Sequence, residues 1–106
     1  MEDSKQAQQI IAQAQAYQQQ LQAFMIQKET LGMQLAEAER ALQDLEKSGD
    51  NSEVYKISGP LLIRTSKADA QKELAEKQDM AKMRLKSIEK NEKKIKEKIE
   101  DAKAMR

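Results

Sequence analysis

Apolar side chains recur along the first half of the chain with the spacing of a coiled-coil helix. Ten of eleven positions linked by alternating steps of four and three residues are apolar when alanine is counted. A 3.5-residue repeat sustained over about five heptads predicts a left-handed coiled-coil seam on a helix over about residues 4–47, with Asp3 as its N-cap. The seam positions are Ile10, Ala14, Tyr17, Leu21, Phe24, Lys28, Leu31, Leu35, Ala38, Leu42 and Leu45.

The second half of the chain carries a matching seam at Leu74, Gln78, Ala81, Leu85, Ile88, Glu92, Ile95, Ile99 and Ala102. It predicts a helix over about residues 66–105, with Ser66 as N-cap and Asp69 as the third helical residue. Two seams of similar length separated by turn-forming residues favour an antiparallel coiled-coil hairpin. The alternative, one continuous helix that pairs with another molecule, would have to contain Gly49, Gly59 and Pro60.

Lys28 and Glu92 interrupt the two apolar seams. In an antiparallel pairing they fall within about one heptad of each other. They can form an ion pair that sets the register, or both can extend to solvent.

Residues 48–65, between the predicted helices, have a different composition. The stretches VYKIS and LLIRT flank Gly59-Pro60, which predicts a β-hairpin. A two-stranded hairpin is marginally stable alone, and its edges expose unpaired backbone groups. We therefore expect several copies to join edge to edge here and to bury Val54, Tyr55, Ile57, Leu61, Leu62 and Ile63. The alternative is a β-turn that only caps a lone helical hairpin.

The composition of the 106-residue chain narrows the classes of function. Charged residues reach 35% and aromatic residues only 3%, which favours long helices with a thin core. The net charge of +1 gives no overall field to recruit nucleic acid or an anionic membrane. Cysteine and histidine are absent, which removes thiol chemistry and the commonest metal ligand and general base. With no apolar run of membrane-spanning length and no secretory signal pattern, we expect a cytoplasmic protein that is not an enzyme and uses no cofactor.

The segment EVYKISGPLLIR, residues 53–64, resembles the prefoldin beta subunit family in its archaeal form. The flanking AERALQDLEKSGDNS and KADAQKELAEK, and the earlier YQQQLQ and QKETLGMQLAEAERAL, also look like that family. The resemblance covers nearly the whole chain, a single domain over residues 1–106. It implies a mainly α fold, an antiparallel coiled-coil helical hairpin whose short central β-hairpin assembles into an intersubunit β-barrel. The linker between the predicted helices is long enough for one β-hairpin, as in the beta class, whereas alpha-class members carry a second hairpin.

The resemblance also implies partners and an activity. Such assemblies are hexamers of two alpha and four beta subunits, with six coiled-coil arms projecting from the barrel. They capture unfolded client proteins without ATP and deliver them to a group II chaperonin. The alternative function is a structural coiled-coil scaffold that binds no client.

In this family the client-binding tips combine the start of helix 1 with the end of helix 2. The resemblance therefore implies client binding by Ile10, Ile11, Tyr17, Ile99 and Met105. Ile10 and Ile99 also lie on the seams and can serve as core residues instead. The stretch KSIEKNEKKIKEKIEDAKAMR carries eight basic and five acidic residues. It is either a solvated helical face, with pairs such as Glu89–Lys93 and Glu100–Lys103, or a docking site for an acidic patch on a chaperonin.

Overall fold

The computed structural model describes the backbone of residues 2–104 and the side chains of residues 4–103. It contains four elements, α1 (Glu2–Lys47), β1 (Val54–Ser58), β2 (Leu61–Thr65) and α2 (Lys67–Ala104). The predicted fold class, two long helices separated by an antiparallel β-hairpin, is confirmed. The prediction of Asp3 as N-cap is wrong, because α1 already includes that residue. Within residues 2–104, neither helix has an apolar stretch long enough to cross a membrane.

The chain forms two compact units. One combines the part of α1 up to Thr30 with the part of α2 from Leu85, and its buried side chains are those of Glu92 and Ile95. Seam residues from Tyr17 onward and back from Ile99 are at least half-buried in this unit. Ile10, Ala14 and Ala102 are on the same seams but are exposed. The sequence period therefore predicts the buried face correctly, except at the outer turns of the unit.

The other unit spans Leu31 to Arg84 and includes the β-hairpin. Its buried side chains are Leu31, Ala38 and Ala81, all on the predicted seams. The remaining seam positions of this unit are half-buried. A single layer of side chains between two helices has few neighbours to cover it, which explains why burial is incomplete.

The β-hairpin is closed by a two-residue turn at Gly59-Pro60, between the paired residues Ser58 and Leu61. Gly59 has a φ of 58°, and proline holds φ at about −65°. A positive φ followed by a negative one is the pattern of a type II′ turn, whose twist matches that of the flanking strands. Glycine fits this position because L-residues with a side chain are strained there.

The helices end on specific polar contacts next to the hairpin. The backbone N–H of Asp69 donates to Ser66 Oγ at 3.0 Å, which confirms Ser66 as the N-cap of α2. At the end of α1, the Nζ of Lys67 donates to the carbonyl oxygen of Ser48 at 2.9 Å and lies 3.7 Å from Asp50 Oδ1. A cation at the carboxyl end of a helix interacts favourably with the helix dipole. The first residue of α2 therefore caps the end of α1.

Candidate functional sites: the β-hairpin and the paired helix ends

The register of the β-hairpin decides which side chains share a face. Tyr55 pairs with Arg64, and Ile57 pairs with Leu62. Paired residues of an antiparallel ladder point to the same side, so Tyr55, Ile57, Leu62 and Arg64 form one face, called here the outer face. The opposite face, called the inner face, consists of Val54, Lys56, Ser58, Leu61, Ile63 and Thr65. Each face thus carries three of the six apolar residues predicted to mediate assembly.

The two faces have different surroundings within the chain. On the inner face, Lys56 Nζ lies 3.5 Å from Glu73 Oε2 of α2, and Val54 is half-buried. On the outer face, Ile57 is 80% exposed and Leu62 is 70% exposed. Tyr55 is also exposed, and its hydroxyl donates to Glu53 Oε2 at 2.9 Å. Lys56 therefore links the inner face to α2, whereas the outer face is an uncovered apolar surface.

Both edges of the hairpin are open as well. The sheet has only two strands, so β1 and β2 each have one side without a neighbouring strand among residues 2–104. Unpaired edges next to exposed apolar side chains are a template for further strand pairing. On the inner face, Leu61 and Ile63 also remain exposed. The hairpin thus combines free backbone groups with apolar area on both faces.

The helix ends form a second candidate site in the unit that contains Thr30 and Leu85. Ile10, Tyr17 and Ile99 line one cavity of about 200 Å³. Tyr17 and Ile99 are half-buried, whereas Ile10 is 48% exposed. The structure therefore brings together three of the five residues implied in client binding.

The other two implied residues are not part of this cavity. Ile11 is exposed on a neighbouring face of α1 and does not line it. Met105 lies outside the described residues. The sequence reasoning missed Gln13 and Gln18, which line the cavity together with Ala14, Ala102 and Lys103. The position of Gln13, four residues before Tyr17, could have indicated this contact, because residues four apart are neighbours on a helix surface. The Nε2 of Gln13 donates to the hydroxyl of Tyr17 at 3.0 Å.

Lys28 and Glu92 lie deeper on the same seams. The Nζ of Lys28 is 2.9 Å from Glu92 Oε1, so the two side chains form an ion pair rather than both extending to solvent. That the pair sets the register stays a prediction. Glu92 is buried, while the Lys28 side chain is 35% exposed. The hydrogen bond to Glu92, supported by coulombic attraction to Glu92 and Glu89, raises the pKa of Lys28 above its ordinary value, and burial acts in the opposite direction. The pair keeps both charges on a seam that is otherwise largely apolar.

The last turns of α2 are rich in charge but contain few ion pairs. Lys103 Nζ lies 3.8 Å from Glu100 Oε1, as predicted from their spacing. The predicted Glu89–Lys93 pair is not formed among residues 4–103. No group of acidic side chains in that range is arranged to hold a metal ion. These turns therefore present mainly solvated charges.

Known proteins resemble this chain in sequence and in fold. A family model described as prefoldin subunit matches residues 8–105. The prefoldin subunit beta of Thermococcus onnurineus (strain NA1) is 40% identical over 96 residues, which cover 91% of this chain and 83% of that protein. The crystal structure of the prefoldin beta subunit from Thermococcus strain KS-1 matches with a TM-score of 0.84 and 39% identity, covering 94% of this chain and 88% of that chain.

A further structure, the prefoldin beta2 subunit from Thermococcus strain KS-1, has a TM-score of 0.76 and 21% identity, covering 86% of this chain and 97% of that chain. At that identity it supports the fold alone. The family model and the 40% identical relative each cover nearly the whole chain. Members of the family are chaperone subunits rather than enzymes, and they assemble with other prefoldin subunits. The coiled-coil helices, the central β-hairpin and these matches together show that the chain belongs to the prefoldin family.

Proposed function

We propose that the chain is the beta subunit of a cytoplasmic, ATP-independent holdase, which captures unfolded proteins at its helix ends and transfers them to a group II chaperonin. The working assembly is a hexamer of two alpha and four beta subunits, joined by their hairpins in a β-barrel. The single observation that carries this proposal is the outer face of the hairpin, where Ile57 is 80% exposed and Leu62 is 70% exposed.

Assembly through the hairpin follows from the cost of leaving that face in water. Burying a large apolar side chain contributes about 1.5–3 kcal/mol as an upper estimate. Tyr55, Ile57 and Leu62 together therefore provide a substantial driving force for association. Strands of neighbouring subunits pair with the free edges of β1 and β2, and the outer faces form the interior of the barrel. Because Lys56 contacts Glu73 of its own chain, this arrangement places the inner face toward the coiled coil.

Client capture is assigned to the cavity lined by Ile10, Tyr17 and Ile99. This cavity is small, Ile10 in its lining is exposed, and Ile11 is exposed on a neighbouring face of α1. Small apolar contacts of this kind bind weakly and accept many sequences, which suits a protein that must release its clients. Several arms in one assembly increase the overall affinity without new contacts, because binding at the second arm becomes intramolecular.

Transfer to the chaperonin is assigned to the charged last turns of α2. Their lysines are solvated, so an acidic surface on the chaperonin would attract them over long range. Association by this route is fast at low ionic strength and slows as salt screens the charges. A docking rate that does not change with salt would exclude this assignment.

Native mass spectrometry of the chain, alone and mixed with an alpha-class subunit, tests the assembly. The expected mass of the mixture is that of two alpha and four beta subunits. The second measurement is light scattering by a chemically denatured protein diluted into buffer with and without the assembly. Suppression of scattering supports the holdase function. A hexamer that leaves scattering unchanged would instead be a structural scaffold.

A further inference from the structure

The cavity lined by Ile10, Tyr17 and Ile99 is called here the helix-end cavity, and the part of α1 next to it contains no charged residue. Residues 6–27 include no Asp, Glu, Lys or Arg, although charged residues make up 35% of the chain. Ten of these 22 residues are glutamine. Alanine, leucine, lysine and glutamate favour a solvated helix at least as much as glutamine does. Helix formation therefore does not explain a charge-free, glutamine-rich surface of this length.

The charge in the same unit is concentrated on α2. Residues 89–103 contain six lysines and five acidic residues, and only Ile95 and Ile99 of this stretch are large apolar residues. The two helices of the unit therefore present different surfaces, one neutral and one densely charged. Lys103 of α2 lines the helix-end cavity, whereas every α1 residue that lines this cavity is uncharged.

The neutral surface of α1 carries a shallow depression next to the helix-end cavity. This depression, of about 590 Å³, is lined by α1 residues alone, among them Gln15, Gln19, Gln22 and Met25. Gln18 lines both this depression and the helix-end cavity. The two therefore adjoin at Gln18. The α1 residues that line them, from Ile10 to Met25, are called here the glutamine strip. At 1.5 Å per residue the strip is about 24 Å long, the length of about seven residues of extended chain.

Glutamine side chains match the chemistry of an extended backbone. Each amide offers two donors and an acceptor, and each peptide group of the client offers one donor and one acceptor. Gln15, Gln18, Gln19 and Gln22 are exposed, and within the described part of the chain their amides have no hydrogen-bond partner. A purely apolar surface would leave client peptide groups unpaired on contact, at a cost in free energy. The glutamine amides of the strip can instead form hydrogen bonds to the peptide groups of the client, while Ile10, Tyr17 and Met25 contact its apolar side chains.

We propose that the glutamine strip binds an extended, uncharged segment of about seven residues of an unfolded chain through its peptide groups. This inference rests on the proposed holdase function. It adds the class of client segment that the site at the helix ends binds. The interaction depends on backbone hydrogen bonds and apolar contact rather than on charge. It is therefore insensitive to salt, unlike an interaction with the lysines of α2.

The test uses a peptide of about ten uncharged residues that alternates valine with asparagine, blocked at both termini and labelled with a neutral fluorophore. A second version carries N-methyl groups at alternate peptide bonds, which removes donors and keeps the apolar side chains. Fluorescence polarisation measures binding of both to the complex of this chain with an alpha-class subunit. N-methylation is expected to weaken binding by about tenfold, or about 1.4 kcal/mol. The affinity of the unmethylated peptide is expected to stay within about twofold between about 50 and 500 mM salt.

The matched variant is Gln15→Met/Gln18→Met/Gln22→Met, which keeps side-chain length and helix propensity. It is expected to bind both peptides with similar affinity, whereas Gln20→Met, at an exposed position off the strip, keeps the discrimination. Circular dichroism shows whether each variant retains its helices. Equal binding of the two peptides to the unmodified complex overturns the inference, and so does a steep loss of affinity with salt. The proposed function fails separately, if the unmodified complex does not suppress aggregation of a denatured protein.

Discussion

Lys28 Nζ and Glu92 Oε1 lie 2.9 Å apart, and each residue occupies a seam position on its own helix. Glu92 is the one charged residue that is buried among residues 4–103. Its carboxylate can be satisfied by Lys28 only when the two helices have one particular alignment. A shift of either helix by one heptad moves the partner by about 10 Å and leaves Glu92 facing apolar side chains. We therefore expect the pair to select the register of the coiled coil.

Substitution of one partner is expected to destabilise the chain more than substitution of both. Lys28→Leu leaves a buried carboxylate without its partner, so Tm should fall by several degrees. Lys28→Leu/Glu92→Leu removes the desolvated pair and should regain most of that loss, but alternative alignments become possible. Thermal melting by circular dichroism gives the stabilities, and native mass spectrometry detects mixed assembly states. If the double variant melts and assembles as the unmodified chain does, the pair has no role in register.

The ion pair also gives a defined dependence of stability on pH. The pKa of Lys28 is raised in the folded chain, so its stabilising contribution is complete below the pKa of a free lysine, about 10.4. The contribution is lost as pH rises through the higher folded pKa. The difference in Tm between the unmodified chain and Lys28→Met should therefore be constant from about pH 7 to 9 and shrink only above the pKa of a free lysine, about 10.4. A difference that shrinks between pH 9 and 7 would contradict the assignment.

Two glycine-to-alanine substitutions are expected to have opposite effects. Gly59 has a φ of 58°, so alanine there is strained by about 1–2 kcal/mol, although no atom lies within 4 Å of the added methyl group. Gly32 lies within α1 with equally open space, and alanine should stabilise the helix by about 1 kcal/mol. Urea denaturation of each variant measures both changes. A stabilising Gly59→Ala would mean that the turn is not of type II′.

Ile57→Lys is expected to prevent assembly while leaving the helices intact. Ile57 is on the outer face and makes little contact within the chain, but in the proposed barrel its side chain is buried, where an unpaired ammonium is costly. Native mass spectrometry should therefore show free subunits at unchanged helical content. The control is Met33→Lys, which places the same charge at an exposed apolar residue of α1. Equal loss of assembly in both variants would indicate a general effect of charge.

Ile10→Ser/Ile11→Ser is expected to reduce suppression of aggregation severalfold at unchanged oligomeric state. Ile10 lines the helix-end cavity and Ile11 is exposed on a neighbouring face of α1, so their loss removes apolar area that a client would cover. Ile26→Ser is the control, since Ile26 is 64% exposed on the same helix but lines neither depression of the glutamine strip. Light scattering of a denatured protein provides the readout. Similar losses in both variants would argue against a site at the helix ends.

The arrangement of the helices could be predicted from the sequence because a coiled coil has only one layer of core. Each seam position must face the partner helix, so a 4,3 spacing maps directly onto burial from Tyr17 to Leu45 and from Leu74 to Ile99. Ser66 was equally predictable, since its hydroxyl is local to the backbone that it caps. Local and periodic signals determine both features without knowledge of the rest of the fold.

Features that depend on two distant segments were harder to predict. Alternation along the strands predicted at least one apolar face, but only the pairing of Ser58 with Leu61 places Ile57 and Leu62 together and makes both faces apolar. The contact of Lys28 with Glu92 depends on alignment and side-chain conformation, which spacing alone leaves open. Gln13 and Gln18 were not predicted at the helix ends because a heptad pattern marks apolar positions and gives no signal for polar ones beside them. Their polar side chains complete a cavity with an apolar centre.

The cap that Lys67 places on the carbonyl oxygen of Ser48 has a consequence for how this chain can diverge. The residue that opens α2 is bonded to the residue that follows α1, so the helices are joined at their base independently of the strands. The intervening segment leaves and re-enters the junction at nearly the same point. A change in the length of this segment is therefore expected to leave the junction between the two helices intact.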